Sequence, residues 1–266
     1  MKLGFTLEQA PDEAVLAGVQ ADMARCCVPV RDDVIEAHAL ILTRLARPGT
    51  WWRGAERVAI AAATRSARDC TYCEARKSAL SPYAVAGNHR VHPYYQGLLP
   101  AAVVDIIHFA TTDAPRMTKE AIGRLVAAGI SEAHYVEALG IAVAVRSVDQ
   151  ACRGLGARLH ELPAPVAGEP SRIRPEVEPA AEAFVPMLPA HQPAPPNDDL
   201  WDANSIYFGL RAMSLVPDAV RDLRILSAAH YIPLDKATDF AYGRTLGREQ
   251  MELLAGRVSA LNDCFY

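Results

Sequence analysis

The sequence contains no continuous apolar run that approaches the roughly 18 residues of a membrane-spanning helix, which argues against a membrane span. It also contains no long run of like charge. With a formal net charge of −4, it lacks the basic stripe that is typical of nucleic-acid binding. Residues 1–10 lack the basic flank and the apolar stretch of a signal peptide. These absences predict a cytoplasmic protein that binds neither nucleic acid nor membrane.

A disulfide framework is not expected either, because the six cysteines belong to a chain that is predicted to lie in a reducing compartment. Adjacent Cys26 and Cys27, and Cys152 in an apolar helical segment, are typical of small buried hydrophobic residues. Cys70 and Cys73 differ, because they form a Cys-x-x-Cys motif between an alanine-rich run and a polar helical segment. Two thiols on one helical turn can close a disulfide, so this pair predicts a redox dithiol.

Alternating β-branched runs are few, and apolar residues recur at steps of three and four, which predicts helix almost throughout. Thr118 and Ser131 are suitable N-caps, and Gly129 is a suitable stop. The sequence therefore predicts an all-α fold. Helices are expected near 12–26, 32–46, 54–67, 70–80, 100–110, 119–128, 131–153, 199–214, 218–230, 234–243 and 247–262.

Prolines are concentrated in one segment, since ten of the 19 lie between Glu161 and Pro196. Proline cannot continue a helix, so residues 161–198 are predicted to be a linker. Its apolar content indicates that it lies along a surface. It would separate a helical domain at 1–160, which contains the dithiol, from a second helical region at 199–266.

The region after the linker is similar to a partial copy of the first part. Ala37-His38 is matched by Ala229-His230, and Asp69-Cys70-Thr71-Tyr72 is matched by Asp263-Cys264-Phe265-Tyr266. The matches occur in the same order, so an internal repeat is expected. The second copy stops one residue before its second cysteine would fall.

The dithiol suggests a reaction with peroxides. A thiol attacks a peroxide oxygen as the thiolate, and a second thiol then converts the resulting sulfenic acid to a disulfide. Lys77 lies four residues after Cys73 on the same helical face, so its charge is expected to lower the Cys73 pKa, with Arg76 in support. We therefore expect Cys73 to attack and Cys70 to resolve, although the motif also permits the reverse order.

The apolar helix, the Cys-x-x-Cys motif and the segment Ala-Ala-Gly-Ile-Ser-x-x-x-Tyr-x-Glu-Ala at 127–138 resemble the alkylhydroperoxidase D and carboxymuconolactone decarboxylase superfamily. The resembling segments cover roughly 30–155 and, in part, 200–266. The resemblance implies an all-helical bundle with a partial second repeat, association into homo-oligomers, and thiol-based reduction of organic hydroperoxides. It implies no metal or organic cofactor. It also implies recycling by a dithiol partner, either a thioredoxin-like or a lipoyl-bearing protein.

The chain departs from the catalytic pattern of that superfamily, which has a Glu twelve residues before the first Cys and a His four residues after the second. Val58 and Lys77 stand at these positions, and Glu56 lies close to the first of them. In the second copy, Glu252 does lie twelve residues before Cys264. Glu56 and Lys77 are therefore the candidates for catalytic groups beside the two thiols.

Two histidines follow the dithiol. The spacing Cys70-x2-Cys73-x15-His89-x2-His92 is close to that of a zinc site, but a pair of cysteines within a helix favours a polar-loop role for the histidines. His89 is the better candidate to replace the missing proton carrier. Asp105 and His108 share one face of the next helix and are expected to make a structural polar contact near the core.

Three functions remain compatible with these patterns. The first is a thiol-dependent peroxidase that reduces organic hydroperoxides through a dithiol–disulfide cycle of Cys70 and Cys73. The second is a decarboxylase-like or isomerase-like enzyme that uses the same helical pocket without thiol chemistry. The third is a non-enzymatic helical protein or redox-responsive oligomer. The dithiol favours the first of these functions.

Overall fold

The computed structural model describes residues 10–89, 93, 97–179, 183–191, 193–201, 207–262 and 264. Within these residues the regular structure is helical, with one isolated antiparallel bridge between Glu178 and Met187. The prediction of an all-α chain is confirmed. Among the described residues, no helix is both long enough and apolar enough to cross a membrane.

Ten α-helices lie in the described part of the chain. They are α1 (Glu13–Met23), α2 (Asp32–Ala46), α3 (Gly54–Ala67), α4 (Thr71–Ser78), α5 (Ala101–Asp113), α6 (Lys119–Ala127), α7 (Glu132–Gly154), α8 (Phe208–Arg211), α9 (Pro217–His230) and α10 (Arg248–Leu261). Thr118 and Ser131 cap α6 and α7 through their hydroxyl oxygens, as the sequence predicts.

Two predicted helices differ from the structure. The prediction of a helix at 234–243 is wrong, because only one 3₁₀ turn forms there, at Leu234–Lys236. Tight turns follow it, and the Asp239 carboxylate accepts the backbone N–H of Ala241 at 3.1 Å, which competes with helix formation. Of the helix expected at 199–214, only the short α8 forms, and residues 202–206 lie outside the described part.

Helix α3 lies at the centre of the fold. Ten of its fourteen residues are buried, including an unbroken run from Arg57 to Thr64, and it packs on α2, α5 and α7. A helical stretch that is buried on every side requires neighbours on every side. Its alanines have small side chains that allow those neighbours to approach closely. The last turn of α3 leads through a short connection into α4, and so places the dithiol beside α5.

The region after the proline-rich segment joins the same core through α9, which packs on α7 and α2. Gly140 of α7 lies at the contact with α9, where an added Cβ would lie 2.7 Å from the Cβ of Ala219. Glycine is required here because it has no side chain to keep the two helices apart.

The proline-rich segment is ordered against the connection between α2 and α3. The backbone N–H groups of Val166, Ser171 and Arg172 donate to the carbonyls of Ala46, Gly49 and Thr50, at 2.8, 3.1 and 2.8 Å. Farther along, three apolar side chains enter the core, namely Val185, Met187 and Leu188. Its first part thus lies along a surface, as expected, and its later part contributes to the interior.

A buried ion pair supports the α2–α3 connection, and its loss is expected to be costly. The Glu137 carboxylate on α7 is 3% exposed, pairs with the Arg57 guanidinium and accepts the Trp51 N–H. We expect Glu137→Ala to lower the free energy of unfolding by about 3–5 kcal/mol, because Arg57 is left buried and unpaired. Guanidinium denaturation measures this effect. Glu36→Ala, at an exposed position of α2, is the control and should change the free energy by less than about 0.5 kcal/mol.

Candidate functional site

The two thiols of the Cys-x-x-Cys motif lie at the N-terminus of α4. Cys70 is the N-cap residue with an extended backbone, and Cys73 lies in the first turn. The side chains are largely enclosed, since the residues are 5% and 3% exposed. The positive end of a helix dipole favours a thiolate at this position.

His89 connects both thiols to a carboxylate. Its Nδ1 lies 3.6 Å from Cys70 Sγ and 3.5 Å from Cys73 Sγ, while its Nε2 lies 2.9 Å from Asp105 Oδ1. An ionised carboxylate only accepts hydrogen bonds, so Nε2 carries the proton and the Nδ1 of neutral His89 presents its lone pair to the thiols. The result is a Cys–His–Asp arrangement in which the third residue orients the second.

Arg76 holds Asp105 from the other side. Its guanidinium is buried, lies 2.6 Å from Asp105 Oδ1, and stacks over the Phe109 ring at 4.6 Å from the centroid. Burial opposes ionisation of Asp105, but its hydrogen bond with His89 and the charge of Arg76 together hold its pKa below the ordinary value. The carboxylate therefore stays ionised and available to His89.

His89 is poised to carry a positive charge. Burial acts to lower its pKa, whereas hydrogen bonds with Asp105 and Cys70, and the negative charges of these two groups, raise the pKa above its ordinary value. The contacts with Asp105 and Cys70 therefore favour the imidazolium form of His89.

Cys73 lies in a different environment. Burial, followed by its hydrogen bond with Cys70 and the charge of that residue, raises the pKa of Cys73 to about 12. The Cys73 thiol therefore keeps its proton near neutral pH. The sequence predicts the opposite direction, a Cys73 pKa lowered by Lys77.

A second imidazole closes the inner side of the cluster. His108 on α5 is fully buried, with Nδ1 3.4 Å from Cys73 Sγ and Nε2 3.2 Å from Ser66 Oγ. Burial, with a further contribution from the charge of His89, lowers the pKa of His108 to about 3, so the ring is neutral. The two imidazole rings lie 4.3 Å apart between centroids.

The structure thus brings Cys70, Cys73 and His89 together, but it leaves the other two candidates apart. Lys77 is exposed on the outer face of α4, and the buried cation beside the thiols is Arg76. Glu56 lies in the first turn of α3, where its carboxylate accepts the Arg53 N–H at 2.7 Å and caps the helix. Ser66, which touches the cluster, is ten residues farther along α3, about 15 Å away along the axis.

Some sequence expectations fall outside the described residues. His92 is one of them, as are three residues of the proposed second motif, Asp263, Phe265 and Tyr266. Cys264 is described and exposed.

The sequence predicts a structural contact between Asp105 and His108, whereas the structure places both of them in the site. Asp105 contacts His89 there, and His108 contacts Cys73. The signal was a pair of polar residues on an otherwise apolar helix. Their partners come from other segments, which the pattern of one helix does not reveal.

The same cluster has the donors of a metal site. One donor atom from each of Cys70, Cys73, His89 and His108 lies within 4.8 Å of the other three. The S–N separations of 3.4–3.6 Å are close to the roughly 3.6 Å expected between thiolate and imidazole ligands of tetrahedral zinc. His108 thus takes the place that the sequence spacing gave to His92.

Comparisons of the chain with protein-family models, with curated proteins and with solved structures give no match. The fold and the site define an all-α protein with an enclosed dithiol, two imidazoles and a supporting carboxylate.

Proposed function

We propose that the chain is a thiol-dependent peroxidase that reduces organic hydroperoxides through a disulfide between Cys70 and Cys73. The observation that supports this most directly is the His89 imidazole, which contacts both thiols with one nitrogen and Asp105 with the other. This arrangement supplies a base, an acid and a resolving thiol within one hydrogen-bonded cluster.

In the first step, the Cys70 thiolate attacks the terminal oxygen of the hydroperoxide and the O–O bond breaks. The leaving alkoxide takes the proton of the His89 imidazolium and departs as the alcohol. Cys70 becomes a sulfenic acid and His89 becomes neutral. Asp105 stabilises the imidazolium before transfer and keeps the ring oriented afterwards.

In the second step, Cys73 Sγ attacks the sulfenic sulfur of Cys70, the S–S bond forms and the S–O bond breaks. Neutral His89, with Nδ1 3.5 Å from Cys73 Sγ, accepts the thiol proton and passes it to the leaving hydroxide, which departs as water. One imidazole therefore acts as acid in the first step and as base in the second. A dithiol partner protein, thioredoxin-like or lipoyl-bearing, then reduces the disulfide.

The remaining expectations belong to the same proposal. The bundle would be of the alkylhydroperoxidase D type, with α8–α10 as a partial second repeat, and the protein would be a cytoplasmic homo-oligomer. The relay of that superfamily would be replaced here, with His89 and Asp105 performing the proton transfer assigned to the missing His and Glu.

A second candidate function is a zinc centre at the same four residues. It is favoured by the separations of the donor atoms and by the acceptors of the two imidazole Nε2 groups, which are Asp105 for His89 and Ser66 for His108. In that case the dithiol would hold a metal ion and would not turn over hydroperoxide.

One experiment tests the peroxidase and distinguishes it from the zinc centre. The protein is reduced with dithiothreitol, freed of metal with a chelator, and given tert-butyl hydroperoxide with dihydrolipoamide as reductant. Turnover that is lost in Cys70→Ser and in Cys73→Ser, but retained in the control Cys27→Ser, supports the proposal. Turnover that survives both substitutions contradicts it. Tightly bound zinc that disappears with either cysteine, together with no turnover, favours the zinc centre.

The loop that delivers His89 gives a further prediction. Gly87 has φ +154°, and an added Cβ would lie 2.6 Å from Cδ2 of Tyr72, whose ring packs edge-on against His89 at 4.9 Å. We expect Gly87→Ala to displace His89 and to slow disulfide formation by about 10–100-fold. Stopped-flow measurement of thiol loss after addition of hydroperoxide tests this. Gly123→Ala, where an added Cβ meets no atom within 4 Å among the described residues, should leave the rate unchanged.

A further inference from the structure

A second cluster of polar side chains lies in the core, apart from the dithiol. It consists of His38 on α2, Cys152 on α7 and His160 in the segment after α7, and each of them is at most 2% exposed. His38 Nδ1 lies 3.1 Å from His160 Nε2, and Cys152 Sγ lies 3.5 Å from the same nitrogen. One donor atom from each residue lies within 4.8 Å of the other two.

Side chains around the cluster hydrogen-bond to one nitrogen of each imidazole, so that the other nitrogen faces the cluster. His160 Nδ1 lies 2.8 Å from the Asp22 carboxylate, which accepts its proton, so Nε2 presents its lone pair to the cluster. His38 Nε2 lies 2.7 Å from His230 Nε2 on α9, and the other nitrogen of His230 lies 3.1 Å from Ser147 Oγ. A carboxylate on the far nitrogen of a histidine is the usual outer support of a metal-bound imidazole.

The backbone around His160 is held as firmly as its ring. Arg65 on α3 donates to the His160 carbonyl at 2.9 Å and forms a two-bond ion pair with Asp149 at 2.7 and 3.0 Å. The Ala157 N–H donates to the Cys152 carbonyl at 2.8 Å, which closes the end of α7 just before His160. The three donors therefore have fixed positions, although they come from separate parts of the chain.

We propose that His38, Cys152 and His160 form a binding site for a divalent transition-metal ion, with zinc as the expected metal. Two imidazoles and one thiolate are a donor set that zinc accepts, and three protein ligands leave one coordination position open. The charges also balance, since the Cys152 thiolate and the Asp22 carboxylate offset a divalent cation while Arg65 neutralises Asp149. This site is independent of the proposed peroxidase.

A metal at this position would connect α2, α7 and the start of the proline-rich segment. Because its ligands meet only in the folded chain, the binding free energy would add to the free energy of folding. The site would also secure the place at which the chain leaves the first helical region.

The test must separate this cluster from the dithiol, so it uses the full-length chain with Cys70→Ser and Cys73→Ser. This protein is refolded with Zn²⁺, because the donors are buried, then passed over a weak chelator, and its zinc is measured by mass spectrometry. We expect about one zinc per chain, and less than about a tenth of that after Cys152→Ser is added. Cobalt in place of zinc should give a thiolate-to-metal absorption band that Cys152→Ser removes. Cys27→Ser in the same background is the control and should change neither result.

A second variant acts through the outer support and does not disturb the core. The Asp22 carboxylate is 24% exposed, so Asp22→Asn should preserve the helical circular dichroism while it weakens zinc binding by about 10–100-fold. A folded Cys70→Ser/Cys73→Ser protein that takes up neither zinc nor cobalt would overturn the proposal. Zinc retained after Cys152→Ser, or unchanged affinity in Asp22→Asn, would overturn it as well. None of these readouts depends on hydroperoxide turnover.

Discussion

Cys70→Ser is expected to abolish reaction with hydroperoxide, whereas Cys73→Ser is expected to react once and then stop. Cys70 lies at the N-cap of α4 with His89 as its charge partner, while Cys73 has a pKa raised to about 12 and stays protonated. The loss in steady-state turnover should be complete in both variants, because the disulfide needs both sulfurs. The two variants should differ in a single-turnover experiment, in which Cys73→Ser consumes one equivalent of hydroperoxide and Cys70→Ser consumes none.

Trapping of the sulfenic acid distinguishes the two roles. With dimedone present, Cys73→Ser should accumulate one adduct on Cys70, and Cys70→Ser should accumulate none on Cys73 within the same time. Mass spectrometry of the digested protein gives both quantities. An adduct on Cys73 in the Cys70→Ser protein would contradict this assignment and would indicate that Cys73 attacks, as the sequence predicts. Lys77→Ala serves as the matched control on the same helix, and we expect it to leave both results unchanged because Lys77 is exposed.

His89→Gln is expected to lower turnover by about 10²–10⁴-fold, the contribution typical of a positioned acid–base group. Glutamine keeps a polar side chain that can still donate to Asp105, but it has no proton to exchange near neutral pH. Steady-state rates with tert-butyl hydroperoxide measure the loss. A fall of less than threefold would exclude His89 as the proton carrier and leave His108 as the remaining imidazole at the thiols.

Asp105→Asn is expected to act through His89. It should therefore shift the pH dependence of the rate more than it lowers the maximal rate. In the wild type, Asp105 helps to raise the pKa of His89. Asparagine removes the charge, so the pKa of His89 falls and its imidazolium is lost at lower pH. The alkaline limb of the rate profile should then move to lower pH by about one unit. A profile that falls uniformly at every pH would indicate that Asp105 has only a structural role.

The longest helices could be predicted from the sequence because each has a strong local pattern. The alanine-rich run of α3 and the apolar repeat of α7 both required buried helices, and the cap at Ser131 located the start of α7. The conformation of the segment at 234–243 is harder to predict, since its apolar residues fit a helix while Asp239 stabilises a turn. Here a local side-chain contact outweighs a weak periodicity.

The candidate site was only half accessible to sequence reasoning. The spacing of Cys70 and Cys73 is a local signal, and it placed the thiols correctly on one turn. The partners of His89 depend on where α5 packs, which is a tertiary property. The choice of Lys77 followed helical spacing from Cys73, but the guanidinium of Arg76 is the cation that faces inward toward Asp105. Spacing along one helix identifies neighbours and does not identify which of them is buried.

The contacts of the proline-rich segment have a consequence for limited proteolysis. The hydrogen bonds of Val166, Ser171 and Arg172 all precede Ile173 and hold only the first part of the segment on the α2–α3 connection. Beyond Ile173, Val185 and Leu188 are buried in the core, and α9 packs on α7 and α2. A single cut near the exposed Ile173 would therefore yield two fragments that remain associated. They should elute together in size-exclusion chromatography and separate only in denaturant, so that the chain behaves as one unit even after its backbone has been severed.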